Sequence, residues 1–475
     1  MDPAGSETLA CQYDLYAGTG HMRRTQSRES MSQRLSRVRE AAKQRKKERF
    51  TALFHLLTAE ALENAFLSLS RKAAAGVDGV RWKDYAENLK VNIADLHRRL
   101  HQGSYRAQPG RRHYIPKADG KQRPLGIASL EDKIVQYALV KILNAVYEND
   151  FMGFSYGFRP GRSQHNALDA LATGLVRTNV NWVLDADISQ FFDKVSHEWL
   201  IRFIEHRIGD QRVIRLIRKW LTAGTSEEGE WRASEEGTPQ GAVISPLLAN
   251  IYLHYVFDLW AHQWRRRHAT GNVVMVRYAD DIVIGFDKRI DAQCFRIAMQ
   301  RRLKEFGLTV HPKKTRLMEF GRFAAENRAS RGKGKPETFN FLGFTHISGK
   351  DRSGRFMLIR KTRRDRMTAT LKAIKDGLRK RWHYSIPEQG KWLRRVVQGY
   401  LNYHSVPGNY PMMRKFRIYV TDLWRRALRR RSQQDDTTWT KANRLAAVWL
   451  PKVRVLHPWP VERFTARHPR QEPGA

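Results

Sequence analysis

The chain has 475 residues, enough for about three domains of ordinary size, and carries 86 Lys and Arg against 47 Asp and Glu, a formal charge of +39. So large a cationic excess opposes compaction unless a polyanion or counterions offset it, and nucleic acid is the polyanion expected. No apolar run approaches the ~20 residues of a spanning helix and no apolar segment follows the first basic residues, so neither a membrane protein nor a secreted one is expected, but a soluble intracellular one.

Cys11 and Cys294 are the only cysteines, too few and too far apart for a zinc finger, a zinc knuckle or a Cys-rich endonuclease module. His97 and His101 stand four apart, but Arg98, Arg99 and Leu100 lie between them where a zinc protease needs a glutamate, and they read as surface histidines.

Residues 1–49 read as a polar N-terminal extension. A loose start gives way near Met31, Leu35 and Val38 to a weak helical stripe, which leads into Lys43, Arg45, Lys46, Lys47 and Arg49. That run is either a solvated helix face or an RNA-contacting surface, since charge alone selects no partner. Residues 50–348 are mixed in composition, with helix-like segments punctuated by Gly and Pro and a few short, very apolar runs. Two of these, Trp182 to Ile188 and Val273 to Tyr278, are rich in β-branched and aromatic residues and predict buried strands. Residues 349–432 are dense in Arg and Lys with Trp382, Trp392, Tyr400, Tyr403 and Trp424 between them, and predict a mostly helical unit. Residues 433–475 read as a basic, DNA-binding-like C-terminal region with a polar tail.

The chemistry is concentrated where the apolar runs meet acids. Tyr278-Ala279-Asp280-Asp281 is followed by a second strand-like run, Ile282 to Phe286, which is how a tight hairpin with carboxylates at its tip would read. Taken alone the acid pair is an ordinary turn, because Asp favours turns. Asp187, however, can emerge at the edge of the same sheet, with Asp185 on the same side by strand alternation. Carboxylates gathered in this way repel one another unless a cation joins them, and Mg2+ commonly takes one or two carboxylates plus a substrate's phosphates. Asp187 and Asp280 are the primary ligand candidates, Asp281 supports an ion or the field of the site, and Asp185 reads as a paired structural acid.

At this point the sequence resembles the reverse transcriptases: Tyr278 to Asp281 is similar to their signature hairpin, and Asp187 through Phe192 to their first catalytic motif. Further stretches resemble the group II intron lineage, in the same order along the chain. They are Tyr114 to Lys117 with Arg123-Pro124-Leu125, Tyr156 to Ser163, Gly237 to Leu248, His311 to Thr315, and Phe341 to Phe344. Gly399, Tyr400, Asn402 and Tyr403 resemble the start of the maturase thumb motif. The resemblance, which runs from about Phe50 to Pro460, is to group II intron-encoded reverse transcriptases and maturases of the endonuclease-lacking type, since no pattern of Cys pairs and a His-rich metal site appears before Ala475.

The resemblance implies an α+β, right-hand polymerase with fingers and a ferredoxin-like palm, a helical thumb/maturase domain and a basic C-terminal region. It implies Asp187, Asp280 and Asp281 as catalytic and metal-binding residues for two Mg2+ ions. Lys117 and Arg123 would bind the triphosphate, for which a point charge and a planar fork are both suited. Phe192 would be a bulky gate under the sugar, with core packing as its alternative. Gln240 would contact the nascent pair, beside a glycine that permits close backbone approach. Lys314, or its neighbour Lys313, would neutralise the leaving pyrophosphate. Phe341, Leu342, Gly343 and Phe344 would form a primer grip, core packing being equally open for the phenylalanines. Arg159, Arg162, Tyr400, Asn402, Tyr403, Lys415, Arg425 and Arg429 would contact RNA or DNA. The implied partners are group II intron RNA, an RNA template, a DNA or RNA primer, target DNA and deoxynucleoside triphosphates. No membrane is expected, and the implied location is the cytoplasm of a bacterial type of cell, on ribonucleoprotein or nucleoid. Two other readings remain: a domesticated reverse transcriptase in defence or repair, and a binding-only splicing cofactor.

Overall fold

In the computed structural model, which describes residues 30–116, 122–431 and 437–467, Ser30 and Gln33 form a capping box that starts helix α1 (Met31–Gln44). Its stripe of Met31, Leu35 and Val38 packs against the main core. The helix stops at Gln44, so Lys46, Lys47 and Arg49 lie past its end. Arg207 closes that end. Its guanidinium donates to Ala42 O at 3.0 Å, to Arg45 O at 2.8 Å and to Glu48 O, and pairs with Asp150 at 2.8 Å. Orphan carbonyls of a helix terminus are thus satisfied by one buried cation, which stitches the extension to the body.

The fingers comprise α2 (Ala59–Ser68), α3 (Trp82–Glu87), α4 (Leu89–Gln102), the antiparallel pair β1 (Gly110–Pro116) and β2 (Gln122–Ile127), and α5 (Leu130–Tyr147). Helix α5 is apolar on nearly every face and runs through the core, as such a sequence must. After α6 (Gln164–Arg177) come β3 (Trp182–Asp187), α7 (His197–Glu205), α8 (Gln211–Thr222) and the hairpin β4 (Thr225–Glu227) and β5 (Glu230–Arg232), which extends the finger sheet beside β1. Helix α9 (Ser245–Leu253) passes through a π-helical turn at His254–Asp258 into α10 (Leu259–His268). Then follow β6 (Val273–Tyr278), β7 (Asp281–Phe286), α11 (Arg289–Glu305) and β8 (Arg316–Glu319). The palm sheet has the order β6-β7-β3-β8 with every pair antiparallel. The first strand of this unit therefore lies between its third and fourth, with helices on the crossovers, which is the ferredoxin-like arrangement expected.

Strand β6 is buried from end to end and yet contains Arg277, wholly shielded from water. All of its N–H groups are engaged. Nε and Nη2 reach Asp258 at 2.7 and 2.6 Å, Nη2 also reaches Ser155 Oγ at 2.7 Å, and Nη1 donates to Asn250 Oδ1 at 3.2 Å and Ala279 O at 3.0 Å. Asp258 is the last residue of the π turn, whose extra residue brings it round to face β6.

Beyond the palm, α12 (Ala324–Ala329) leads to a sheet of β9 (Phe339–Phe341), β10 (Phe344–Lys350) and β11 (Phe356–Thr362). The boundary expected between residues 348 and 349 is displaced, because the β10–β11 hairpin runs across it with Gly349 opposite Met357. Helical character resumes only at α13 (Arg364–Lys380), followed by α14 (Ile386–His404), α15 (Tyr410–Arg429) and α16 (Trp439–Trp449). These share a core of Leu393, Val397, Tyr400, Phe416, Val420 and Trp424. The boundary expected between residues 432 and 433 lies outside the described residues. The C-terminal region does not form a unit of its own: α16 joins the thumb bundle, while α17 (Pro460–Arg467) returns to the palm, where Phe464 enters the core and Arg463 pairs with Asp169 of α6.

Removing one member of a buried ion pair leaves the other charged and desolvated, a loss of ~3–5 kcal/mol. Asp258→Ala is expected to lower the stability of the palm by that amount in denaturant unfolding followed by tryptophan fluorescence; a loss below ~1 kcal/mol, the scale of an exposed pair, would show that the pair is not structural.

Candidate active site

The β6–β7 hairpin turns on two residues, Ala279 and Asp280, between the paired Tyr278 and Asp281. Ala279 has φ 55°, a left-handed conformation that a side chain resists. The turn is braced on two sides. Arg277 donates to the Ala279 carbonyl, and Gly157 lies so close that a Cβ there would stand 2.3 Å from Ala279 N. Gly157 is itself held by Asn250, whose amide donates to its carbonyl at 2.7 Å. Tyr156 N donates to Arg277 O at 2.8 Å and Arg277 N to Phe154 O at 2.9 Å, so residues 154–157 run as an extra rung along β6.

Across the sheet, Asp187 at the end of β3 pairs in register with Asp281 at the start of β7. Three carboxylates therefore meet at one edge. Asp281 reaches solvent at the start of β7, and its carboxyl is pushed up to about 7, by desolvation first and then by the charges of Asp280, Asp187 and Asp185. Asp280 is also raised, by burial and then by Asp187, with its own backbone N–H, Arg123 and Lys314 opposing the shift. Asp185 rises to about 6, mainly through burial, with Arg316 pulling it back. Lys314 Nζ lies 2.9 Å from Asp187 Oδ2, delivered by a turn in which His311 N donates to the Asp187 carbonyl at 2.7 Å. The geometry thus selects Lys314 over Lys313 as the lysine at the carboxylates. Among the described residues no group of three or more His, Cys, Asp or Glu is placed to hold a metal ion by itself, so a cation at this rim of acids would have to take its remaining ligands from water and substrate.

Around this rim the other predicted residues are distributed unevenly. Arg123 is exposed on β2, near enough for its charge to act on Asp280. Lys117 lies outside the described residues. Gln240 donates through Nε2 to Asp193 Oδ1 at 2.7 Å, and its carbonyl accepts from Gly126 N at 2.6 Å, which ties the loop to the fingers. Next to it Gly241 has φ 108° and faces the Gly126 carbonyl. Phe192 is half-buried, edge-on to Phe191 and Phe158.

Several predicted contacts are turned inward. Phe341 and Phe344 are core residues, and only the turn of Leu342 and Gly343, at φ 44° and 78°, faces outward from that hairpin. Tyr403 holds this turn, its hydroxyl donating to Leu342 O at 2.8 Å. Arg159 is buried against Glu148 at 3.0 Å and donates to Met152 O and Ser155 O, which removes it from any RNA surface. Arg162 is tied to Gly153 O and Ser155 O and lies over the Tyr156 ring. Tyr400 stacks on Phe416 inside the thumb core at 3.7 Å between centroids, and is no more available. Arg425 is divided between Asp422 and the Trp439 ring. Asn402, Lys415 and Arg429 do face solvent. The residues that sequence reasoning missed are Arg277, Asp258, Asn250 and Gly157. Only Arg277 left a signal, as a lone charge in an otherwise apolar strand.

The family model for reverse transcriptase (RNA-dependent DNA polymerase) matches residues 115–346. Protein YkfC of Escherichia coli is 43% identical over 206 residues, 42% of this chain and 54% of that protein. The group II intron-encoded protein LtrA of Lactococcus lactis subsp. cremoris is 37% identical over 223 residues, 46% of this chain and 37% of that protein. A COX1/OXI3 intron 1 protein of Saccharomyces cerevisiae is 26% identical over 393 residues, 68% of this chain and 46% of that protein. The chain spans about half the length of these relatives or less. With the palm order, the paired carboxylates and these matches together, residues 115–346 form a reverse transcriptase domain, in a chain similar to group II intron-encoded proteins.

Proposed function

We propose that the chain is an RNA-directed DNA polymerase that binds its group II intron RNA, assists its splicing and copies it into DNA during intron mobility. The observation that carries this reading is the register of the palm sheet, which pairs Asp187 with Asp281 beside the Asp280 turn. Reverse transcriptases generally use divalent metal ions. The donor set here fits one: desolvation, and then the charges of Asp280, Asp187 and Asp185, hold the Asp281 carboxyl up at about 7, and a divalent cation would offset that penalty.

On this reading Asp187, Asp280 and Asp281 would hold two Mg2+ ions, which would supply activation of the attacking 3′ oxygen of a DNA or RNA primer and charge neutralisation on the leaving pyrophosphate. The protein's own part is orientation and charge. Arg123 reaches the triphosphate of the incoming deoxynucleotide, and Lys314 leaves Asp187 to meet the pyrophosphate. Gln240 and Gly241 bring backbone close to the nascent pair. Phe192 stands where a ribose 2′-hydroxyl would collide with it, so deoxynucleotides are selected by exclusion. Lys415, Arg429 and Asn402 offer solvent-facing donors to the phosphates of intron RNA, template or target DNA, whose binding is dominated by such contacts.

Primer extension on an RNA template with deoxynucleotides and Mg2+ tests the polymerase, and repetition with the flanking intron RNA tests the maturase. Synthesis by the natural chain, stimulated by the intron, is expected; no synthesis in either condition would leave a binding-only splicing cofactor. Asp280→Ala is expected to abolish synthesis while RNA binding, read by filter retention, is kept. Surviving synthesis would refute the ligand assignment.

The raised carboxyls also set a pH dependence. Asp281 is raised from 3.8 to about 7 and Asp185 from 3.8 to about 6, so the folded state binds more protons than the unfolded across that window. Without metal, their ionisation therefore costs stability as pH rises from about 4 through about 7. Mg2+ is expected to raise the melting temperature near pH ~8 and to leave it unchanged near pH ~4, where the acids are protonated. An equal rise at both values would place the binding elsewhere.

A further inference from the structure

Phe158 has no role in the machinery described above, yet it sits at φ 57°, in the left-handed region that a bulky side chain avoids. Its neighbours leave it no freedom to relax. On one side Gly157 is packed against the Ala279 turn and held by Asn250. On the other, the Arg159 guanidinium is buried against Glu148 and fastened to the Met152 and Ser155 carbonyls at 2.8 Å. Strain that the surroundings over-determine is characteristic of positions where a side chain must be aimed.

The aim is visible in the ring contacts. Phe158 stands edge-on to Phe192, with centroids 6.5 Å apart at 75°, and lies 6.4 Å from Tyr278 of the hairpin. It packs at the rim of the core formed by α6 and the outer palm, whereas Phe192 packs at the rim of the larger core shared with the fingers. Their contact therefore joins two cores across the carboxylate edge. A residue serving its own core alone has no need of a strained backbone to reach a ring that belongs to the other. Phe192 also meets Phe191, which is almost fully buried, edge-on at 5.4 Å. A ring that rejects a single hydroxyl must not be able to swing away, and edge-to-face contact from Phe158 blocks that retreat.

We infer that Phe158 is a positioning residue that fixes the ring of Phe192 and thereby sets the sugar discrimination of the polymerase. The inference rests on the reading of Phe192 as a sugar gate in an active polymerase. It is tested by the ratio of kcat/KM for a deoxynucleotide to that for the matching ribonucleotide, measured in primer extension with the full chain. The forms compared are the natural chain, Phe192→Ala, Phe158→Ala, Phe158→Gly, Phe158→Tyr and the Phe192→Ala/Phe158→Ala double variant. Glycine accepts the positive φ without strain, so Phe158→Gly removes the ring while easing the backbone. Both ring-removing variants are expected to lower the ratio by roughly ten-fold, the lower end of what one hydrophobic contact discriminates. Phe158→Tyr, which keeps the ring, is expected to retain the ratio. The double variant is expected to discriminate no worse than Phe192→Ala, because Phe158 acts through that residue. If Phe192→Ala lowers the ratio while Phe158→Ala and Phe158→Gly slow both substrates alike, this inference alone is overturned. If Phe192→Ala leaves the ratio unchanged, the gate falls and the inference with it. No synthesis by the natural chain would overturn the polymerase reading and everything built on it.

Discussion

The active edge of the palm depends on one buried ion pair. Arg277 and Asp258 are both shielded from water, and neither could remain charged there without the other. The pair joins the strand that carries the acidic turn to the long helix behind it, through a π turn that exists nowhere else among the described residues. From the same guanidinium one N–H supports the Ala279 carbonyl, another fixes Ser155, and a third holds Asn250, which in turn positions Gly157. The left-handed residue at the hairpin tip is thus held by a network reaching three separate segments. Electrostatic catalysis requires charges that do not reorganise as the reaction proceeds, and a desolvated, fully satisfied cation is a rigid anchor for them.

How much of this was legible in the sequence follows from what decides each feature. The strands at Trp182 and Val273 and the acidic turn were readable because short apolar runs bounded by acids admit few other structures. The ferredoxin-like order followed from the resemblance and is present in the pairing. Orientation on helices and loops was not readable. In α14, Tyr400 turns into the bundle and Asn402 to solvent, although both belong to one motif, because helical rotation and not residue type assigns the face. Arg159 was expected to contact RNA or DNA, and its partner Glu148 gave no sign of itself eleven residues upstream. The hairpin across residue 349 was hidden by its own cations: Arg355 just before β11, and Arg360 and Lys361 within it, give a basic composition to a strand whose Arg360 is nevertheless buried near Asp169.

Positive charge in this molecule therefore has two distinct uses. Arg159, Arg207, Arg277 and Arg360 are interior, each facing a carboxylate or main-chain carbonyls; Arg159 closes a local loop, and the other three act as cross-links between segments far apart in sequence. Arginine suits this use because its planar fork satisfies several acceptors at once and stays ionised when buried. The exposed cations of the thumb, such as Lys415 and Arg429, have no such geometry and are free to follow the phosphates of a partner. Net charge alone does not separate the two populations.

The return of α17 to the palm imposes an order in time as well as in space. Asp169 and Arg463 are separated by 294 residues. A ribosome adding ~5–20 residues each second needs roughly 15–60 s to produce the second after the first. Throughout that interval α6 has emerged without its covering helix, its acid still hydrated and the groove for Phe464 still open. The palm of a nascent chain is therefore sealed late, and throughout the interval a surface that the finished protein conceals stays open to solvent and to chaperones.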